Sequence, residues 1–249
     1  MKLDFYYFSY QCPLNDTMIQ LLEEYSDVID VHFYDLTNDY QLSKKMEIFY
    51  PTLIVLNEHK RYYSPLSKPF LEQVADGKYP TENPFCPTLS RVKKKEIIEQ
   101  LNQDNIEFAC DCCGKKTESN SCKKAMFLKR FNFESYGYIH KDINGSLIGG
   151  AEYLPAKYIP YNVPHNDDIA FITCVYMSDT KFDYKSAPLL ALEYYLKQFY
   201  SKVMAISDEI GIFPNGDLKF FMDNGYSDEG VIYEDKDYCR LHLVTKVLI

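Results

Sequence analysis

The sequence lacks any apolar run long enough to cross a lipid bilayer. A membrane-spanning helix needs ~20 consecutive, predominantly apolar residues, and no stretch approaches that length. The first ten residues also lack the basic head, apolar run and small-residue cleavage site of a secretory signal. We therefore expect a cytoplasmic protein with no membrane partner, whose eight cysteines are reduced thiols and not a disulfide scaffold.

An excess of positive charge is absent as well. The chain has 27 Lys and Arg against 36 Asp and Glu, which gives a formal net charge of -9. Because nucleic acid backbones are bound by clustered basic side chains, this balance excludes nucleic acid as the main partner. Hydrophobic residues make up 46% of the 249 positions, enough to fill the core of one large domain or two ordinary ones.

The first 78 residues predict the order strand, helix, strand, helix, strand, strand, helix. Apolar runs at 3–8, 28–34 and 51–56 have the length and composition of strands, and the order implies parallel pairing between them. Either Asn15 or Asp16 is placed to cap the first helix.

Cys12-Pro13 at the start of the first helix and Tyr50-Pro51 at the third strand make residues 1–78 resemble the thioredoxin-like fold. The resemblance implies a cis peptide bond before Pro51, facing the cysteine. The position three after Cys12 is Asn15, so the Cys-x-x-Cys pair of a thioredoxin is missing. A helix start favours a thiolate, so a monothiol or peroxide-sensing role for Cys12 stands beside a purely structural one.

Residues 79–95 are interpreted as a linker, because three prolines interrupt any helix or central strand there. The charged run that follows, with Ile97, Ile98 and Leu101 on one face, predicts an amphipathic helix opening a second domain at 96–249.

A cluster of cysteines follows this predicted helix. Four thiolates can bind zinc, but structural zinc sites use two separated pairs, and the spacing here is irregular. We therefore predict no metal site and interpret the cluster as thiols in a loop: Cys110, Cys112, Cys113 and Cys122.

The second domain predicts a hairpin followed by a long buried strand and a helix. Asn144-Gly145 between two apolar runs is a strong hairpin signal. Residues 169–177 are almost entirely apolar or aromatic, as in a strand buried on both faces. A helix beginning shortly after that strand exposes backbone N–H groups, which together form an anion site.

The order of these elements over residues 96–249 resembles the GNAT acyltransferase superfamily. Several stretches are similar to YoaP-type GNAT proteins: Cys112-Cys113 before a basic helix, EYLP at 152–155, ITCVY at 172–176 and DLKFFMDNGY at 217–226. The expected fold class is therefore α/β (α+β), with an N-terminal thioredoxin-like domain and a GNAT-fold domain built on a mixed central sheet.

The resemblance implies an N-acetyltransferase with acetyl-CoA as co-substrate and an amine, on a small molecule or a protein, as acceptor. The amine would attack the thioester directly, with Glu152 as the base and a backbone N–H near Val175 or Tyr176 polarising the carbonyl. Cys174 on the buried strand is a further catalytic candidate. The tyrosine that often protonates the leaving thiolate in the family falls at Phe221, so Tyr226, or alternatively Tyr184, is the candidate substitute. The implied cofactor contacts are Cys174, Val175, Tyr176 and Met177 on the strand, and Lys181, Lys185, Ser186 and Ala187 in the phosphate loop.

The phosphate loop departs from the family pattern. Residues 182–186 contain no glycine, although a phosphate-binding backbone must approach its ligand closely, and Asp183 would repel a phosphate. Two alternatives follow. One is a degenerate GNAT-fold binding or regulatory module without CoA binding, and the other is a thiol-redox sensor using Cys12 and the cysteine cluster. The sequence identifies neither the acceptor nor the oligomeric state.

Overall fold

A computed structural model describes residues 1–112 and 123–249. The chain forms two compact units, the first made of Met1–Asn83 with Pro160–Val163 and the second of Pro84–Ile159 with Pro164–Ile249. In the described residues, no helix has both the length and the apolar character needed to cross a membrane.

The first unit contains a four-stranded sheet and three helices. Its strands lie in the order β2-β1-β3-β4. The elements are β1 (Lys2–Tyr7), α1 (Leu14–Glu24), β2 (Asp30–Asp35), α2 (Tyr40–Lys45), β3 (Thr52–Leu56), β4 (Lys60–Tyr62) and α3 (Lys68–Ala75). Leu3, Phe5 and Ile54 from the sheet pack with Leu22 of α1 and Leu71 of α3 in its core.

The predicted parallel pairing holds for β1 and β2 only. β3 pairs with β1 in the antiparallel sense, with Phe5 opposite Ile54, so the prediction is wrong for the third strand. The connecting helix α2 has six residues and spans only ~9 Å. It is too short to return the chain along the sheet, so β3 starts from the end at which β2 finishes.

Two further expectations for this unit are corrected. Phe213-Pro214 is the only cis peptide bond in the described part of the chain, so the bond before Pro51 is trans. Pro13 is the N-cap of α1 and supplies no side-chain hydrogen bond. Asn15 does not cap the helix either, because its Nδ2 donates to the carbonyl oxygen of Ser9 at 2.6 Å.

The second unit is built on a seven-stranded sheet in the order β10-β11-β9-β8-β7-β6-β5. Its elements are β5 (Ile97–Leu101), α4 (Lys123–Lys129), β6 (Gly137–Lys141), β7 (Leu147–Pro155), β8 (Ile169–Met177), α5 (Ser186–Leu196), β9 (Lys202–Asp208), α6 (Leu218–Asp223), β10 (Ser227–Asp235) and β11 (Cys239–Val247). Short 3-10 turns lie at Ile106–Cys110 and Ala156–Tyr158. The expected mixed sheet is present.

The amphipathic helix predicted around Ile97 is wrong, because this segment is the edge strand β5. It pairs with β6 from Ile97 opposite Lys141 to Leu101 opposite Gly137. The apolar spacing fitted a helix, but β-branched residues also suit a half-buried strand, and the pairing with β6 decides the outcome.

The predicted hairpin joins β6 and β7. Gly145 N–H donates to the Asp142 carbonyl, and the φ of +82° at Gly145 is a conformation that glycine adopts without strain. The hairpin places β7 beside β8, with which it pairs from Gly149 to Pro155.

The strands β8 and β9 are parallel neighbours along only part of their length. Their register begins at Ile169 opposite Lys202 and ends at Phe171 opposite Met204. β9 continues to Asp208 and pairs with β11 over that length, while β8 continues to Met177 and pairs with β7. The two strands therefore diverge beyond Phe171, which leaves an opening in the middle of the sheet.

The helix α5 covers one face of this sheet. Leu189, Leu192 and Leu196 of α5 share a core with Ala151 of β7 and Val175 of β8. Because neighbouring residues of a strand point to opposite faces, Glu152 and Cys174 face away from α5.

Candidate active site

A β-bulge lies on β8 beside the opening between β8 and β9. Glu152 is opposite Cys174, but the next residue of β7, Tyr153, is opposite Ile172. Thr173 is therefore the extra residue on β8. A bulge locally twists a strand and turns its backbone groups out of the regular ladder.

Asn215 connects the two diverging strands. Its Nδ2 donates to the carbonyl oxygen of Ile206 on β9 at 3.2 Å and to that of Ile172 on β8 at 3.5 Å. The side chain is 3% exposed. One buried amide thus holds both strands at the point where they separate.

Glu152 forms an ion pair inside the protein with Lys124 of α4. Lys124 Nζ lies 2.7 Å from Glu152 Oε2, and both side chains are almost completely buried. Lys124 Nζ also donates to Cys112 Sγ at 3.5 Å. Burial raises the pKa of Glu152 against the opposing charge of Lys124. Burial alone would lower the pKa of Lys124, but Cys112 and Glu152 outweigh it and hold that pKa well above its usual range.

Cys174 and Tyr176 complete this group on the same face of the sheet. Cys174 is hydrogen-bonded with Cys112, and that bond together with burial raises the pKa of Cys174 well above its ordinary value. The Tyr176 hydroxyl lies near Glu152, where it favours the charged carboxylate and so acts to lower the pKa of Glu152. Cys174 is partly exposed, so the group reaches the surface there. We refer to Cys112, Lys124, Glu152, Cys174 and Tyr176 as the Glu152 cluster.

Gly150 makes room for the tyrosine of the cluster. A Cβ atom at Gly150 would lie 2.3 Å from both Cζ and Oη of Tyr176. Gly150 and Glu152 share a face of β7, so the absence of a side chain at 150 leaves room for the end of the Tyr176 ring on the face that carries the carboxylate.

The start of α5, where an anion site was predicted, is capped by the chain itself. Asp183 Oδ1 accepts hydrogen bonds from the backbone N–H groups of Lys185 and Ser186, both at 3.0 Å. Ser186 Oγ donates to Asp183 Oδ2 at 2.5 Å. The N–H groups expected to hold a phosphate are therefore satisfied by an internal carboxylate.

A segment from the predicted linker lies along the same loop. Asp183 N–H donates to the Val92 carbonyl at 2.8 Å, and Ser90 N–H donates to the Thr180 carbonyl at 3.1 Å. Arg91 pairs with Asp217, the N-cap of α6, at 2.7 Å. The loop is thus held in place on one side by residues 90–94 of the same unit.

The two lysines predicted to contact phosphates have different surroundings. Lys181 is exposed, and its backbone N–H donates to Asp179 Oδ1. Lys185 is 4% exposed, and its Nζ lies 4.0 Å from the centre of the Phe220 ring. Burial lowers the pKa of Lys185 to about 8, against the opposing influence of Asp217 and other carboxylates.

The remaining predicted residues lie on the α5 side of the sheet. The side chain of Val175 is part of the core beneath α5, and Tyr226 is buried in the same core against Phe221. Burial, followed by the adjacent Glu193 carboxylate, raises the pKa of Tyr226 well above its usual range. Tyr226 and Glu152 therefore lie on opposite faces of the sheet, and the structure does not bring them together.

A cavity of about 800 Å³ opens beside the start of α5. Ser186 and Ala187 lie in its wall, together with three consecutive lysines, Lys93, Lys94 and Lys95. The exposed apolar residues Leu190 and Tyr194 of α5 line the same cavity. The charge pattern of residues 91–96 favours a solvated face over a binding patch, so the sequence alone does not predict these lysines as cavity residues.

The sequence interpretation also missed Lys124, which lies in a basic helix otherwise anchored by apolar residues. The only local sign that Lys124 is buried was its position between Cys122 and Ala125, at which the helix requires a side chain that faces the core. A lysine at a core-facing position signals a buried partner.

The cysteines differ from the expectation of reduced thiols at one described position. Cys110 is disulfide-bonded, whereas Cys112 and Cys174 carry thiols. Cys113 and Cys122, the other two residues of the predicted cluster, lie outside the described residues. Among the residues that the structure describes, no three His, Cys, Asp or Glu side chains are grouped so that they could hold a metal ion.

Cys12 of the first unit is 8% exposed. The buried Tyr161, from the 160–163 segment of the same unit, lies close to it and packs edge-on against Phe8. The thiol at the start of α1 is therefore largely covered.

Comparison with known proteins finds no matching family model and no matching curated protein. Solved structures similar to this chain are acetyltransferases. The N-acetyltransferase from Staphylococcus aureus Mu50 is 14% identical, with 61% of this chain and 98% of that chain covered, at a TM-score of 0.44. The spermidine N-acetyltransferase from Vibrio cholerae, solved with CoA and spermine, is 10% identical, with coverage of 61% and 95% and a TM-score of 0.43. A GNAT-family acetyltransferase from Streptococcus pneumoniae is 9% identical, with coverage of 61% and 99% and a TM-score of 0.43.

Proposed function

We propose that the second unit is an N-acyltransferase of the GNAT type, which transfers acetyl from acetyl-CoA to an amine. The observation that carries the proposal is the bulge at Thr173, located where β8 and β9 diverge, with the buried Glu152 opposite Cys174. An opening beside irregular strand backbone suits an extended thioester, because a bulge turns backbone groups out of the regular ladder, and an N–H turned in this way can polarise the thioester carbonyl.

In this proposal Glu152 removes the proton of the attacking amine. A carboxylate whose pKa burial has raised accepts a proton near neutral pH more readily than an exposed one. The amine nitrogen bonds to the carbonyl carbon, the carbon–sulfur bond breaks, and the CoA thiolate leaves. Tyr176, whose hydroxyl contacts Glu152, is better placed than Tyr226 to return a proton to that thiolate.

The phosphates of CoA would be held by the lysines of the cavity and not by the loop. The loop is a poor fit for a phosphate, because Asp183 already accepts from its N–H groups. Lys93 and Lys95 are exposed, line the same cavity as Ser186 and Ala187, and carry the charge that phosphates require. The apolar residues Leu190 and Tyr194 offer a surface for an adenine ring.

The second candidate function is a GNAT-fold binding module that does not use CoA. The capping of α5 by Asp183 supports it, because the negative carboxylate would repel a pyrophosphate and fill its place. This candidate predicts a folded protein with no affinity for acetyl-CoA.

Calorimetric titration of the whole chain with acetyl-CoA separates the two candidates. The enzyme proposal expects one binding site, weakened about tenfold or more, or ~1.4 kcal/mol, by the double substitution Lys93→Glu and Lys95→Glu. Lys236→Glu, at an exposed lysine between β10 and β11, is the matched control and should bind like the parent protein. An absence of heat and of thermal stabilisation at millimolar acetyl-CoA would contradict the enzyme proposal and support the binding module.

Release of CoA thiol in the presence of polyamines or amino-terminal peptides then tests catalysis. Glu152→Gln should lower kcat by ~10²–10⁴ while the dissociation constant of acetyl-CoA changes little. Equal loss of binding and turnover would argue against Glu152 as the base. A melting curve of the variant establishes whether it is folded.

For the first unit we propose a thioredoxin-like domain that has a packing or binding role and carries out no redox chemistry. The order β2-β1-β3-β4, with β1 and β2 parallel and the other pairs antiparallel, supports the fold. The burial of Cys12 beside Tyr161 supports the absence of redox work. Mass spectrometry after mild peroxide tests this, and oxidation of Cys12 at the rate of an exposed thiol would overturn it.

A further inference from the structure

We propose that Cys112 and Cys174 are a thiol modification site, at which oxidation by a peroxide joins the two sulfurs in a reversible disulfide. Both residues carry thiols in this structure, and their side chains are hydrogen-bonded to one another. The inference concerns the same cluster as the proposed acyl transfer but does not require that reaction.

The geometry around Lys124 brings the two sulfurs together. Lys124 Nζ lies 3.5 Å from Cys112 Sγ and 2.7 Å from Glu152 Oε2. Glu152 in turn is the cross-strand partner of Cys174. One buried ammonium therefore contacts a sulfur and a carboxylate, and the residue that carries the carboxylate lies directly opposite Cys174 on the neighbouring strand.

This environment suits thiol oxidation because the two sulfurs can take different roles in it. The thiolate is the reactive form of cysteine, and the Lys124 ammonium, 3.5 Å from Cys112 Sγ, stabilises it at Cys112. Cys174 holds its proton more firmly, because its hydrogen bond with Cys112 and burial raise its pKa, and Glu152 can take that proton in the second step. The other three described thiols have different surroundings. Cys12 is buried beside Tyr161, Cys239 is buried on β11, and Cys86 is exposed with its Sγ donating to the Ile210 carbonyl at 3.2 Å.

The exposed side of the pair is Cys174, since Cys112 is fully buried. Peroxide enters beside Cys174 at the bulge, and the adjacent Cys112 thiolate attacks one peroxide oxygen. The O–O bond breaks, hydroxide leaves and a sulfenic acid remains on Cys112. Cys174 gives its proton to Glu152, its sulfur attacks the sulfenic sulfur, the S–S bond forms, and a second hydroxide leaves. With the two thiol protons the products are one disulfide and two waters.

The bridge would change the charge balance of the cluster. Lys124 now shares its charge between Cys112 and Glu152, and after oxidation only Glu152 remains as an anionic partner. A carboxylate that is the sole anionic partner of an ammonium has a lower pKa than one that shares the ammonium with a second anion. If the proposed acyl transfer is correct, oxidation therefore weakens the base.

The test is peptide mapping of the full chain after oxidation. The protein is treated with hydrogen peroxide, blocked with N-ethylmaleimide, digested with trypsin without reduction, and analysed by mass spectrometry. We expect a cross-linked species joining the peptide of Cys174 to the peptide of Cys112, lighter by two hydrogens than the separate peptides and absent after reduction. Alkylated Cys174 in oxidised protein would overturn the proposal.

Matched variants assign the second sulfur, because residues 110, 112 and 113 fall in one tryptic peptide. The cross-link should persist in Cys113→Ser, Cys122→Ser and Cys86→Ser, and disappear in Cys112→Ser and Cys174→Ser. Melting temperatures show that each variant is folded. A bridge that survives Cys112→Ser but disappears in Cys113→Ser or Cys122→Ser assigns the partner elsewhere and contradicts the proposal. The readout is a mass, so its result does not depend on whether acetyl-CoA binds.

Discussion

Asp183 and Ser186 are hydrogen-bonded to each other at the start of α5, with Ser186 Oγ 2.5 Å from Asp183 Oδ2. The same carboxylate accepts from two backbone N–H groups of that turn. An anion arriving at this helix must therefore displace a negatively charged side chain that already satisfies the donors. The helix start is stable without a ligand, and its preference for negative charge is met within the chain.

Removing the Asp183 carboxylate should expose these donors. We expect Asp183→Ala to lower the free energy of unfolding by about 1 kcal/mol through the lost cap, and to increase the affinity for inorganic pyrophosphate. Calorimetric titration and urea denaturation measure the two effects. The control is Asp237→Ala, an exposed carboxylate between β10 and β11, which should leave pyrophosphate binding unchanged. A variant that loses stability without gaining anion affinity would contradict this.

Lys185 should make stability depend on pH in the alkaline range. Its folded-state pKa of about 8 lies below the unfolded value of 10.5. Between these values the unfolded chain binds the additional proton, so the free energy of unfolding rises with pH from 8 to 10.5. Lys185→Met keeps an apolar stem of similar length and should lack this rise. Urea denaturation at several pH values measures the difference, and parallel pH profiles would contradict the buried lysine.

Substituting only one partner of the Lys124–Glu152 ion pair should destabilise the protein strongly, whereas replacing both partners with apolar residues should destabilise it little. Lys124→Met leaves a buried carboxylate without its partner and should cost ~3–5 kcal/mol of stability. Combining it with Glu152→Leu should recover most of that loss. As a matched control, Lys219→Met breaks an exposed i,i+4 pair with Asp223, which is worth ~0.3–0.5 kcal/mol. Similar losses for the two lysine variants in urea would argue against a buried pair.

Gly150→Ala should push Tyr176 out of contact with Glu152. The added methyl would lie 2.3 Å from the end of the tyrosine ring, an overlap that typically costs ~1–3 kcal/mol. A second substitution, Tyr176→Ala, removes the overlap, so the double variant should be more stable than the sum of the two single effects predicts. Thermal melts measure all three variants, and additive losses would place the ring elsewhere.

Much of the fold was predictable from local sequence patterns. The strand Ile169–Met177 was predicted at its observed bounds, because nine consecutive apolar or nearly apolar residues identify a strand buried on both faces. Asn144-Gly145 identified the hairpin through its turn chemistry. The segment at Ile97 was mispredicted because five residues with mixed apolar spacing fit either period, and only pairing with β6 selects the strand.

The site was less predictable because its contacts are distant in sequence. Glu152 was identified as a candidate from its place on β7, but its partner Lys124 lies on α4 and looked like one more basic residue of a helix surface. The capping of α5 by Asp183 was not predictable for a similar reason. Asp183 could be recognised as repulsive to phosphate, but no local pattern shows that it bonds back to the next helix.

The first unit is made of two stretches of chain, Met1–Asn83 and Pro160–Val163. Phe8 packs against Tyr161 and the Tyr40 hydroxyl donates to Asn162 Oδ1 at 2.8 Å, so the short stretch contributes to the packing of the long one. A gene fragment that stops at residue 83 would therefore encode an incomplete unit, with the Phe8 ring deprived of its aromatic neighbour. Separate expression of this unit requires residues 160–163 to be supplied, either by a grafted linker or as a peptide added in trans.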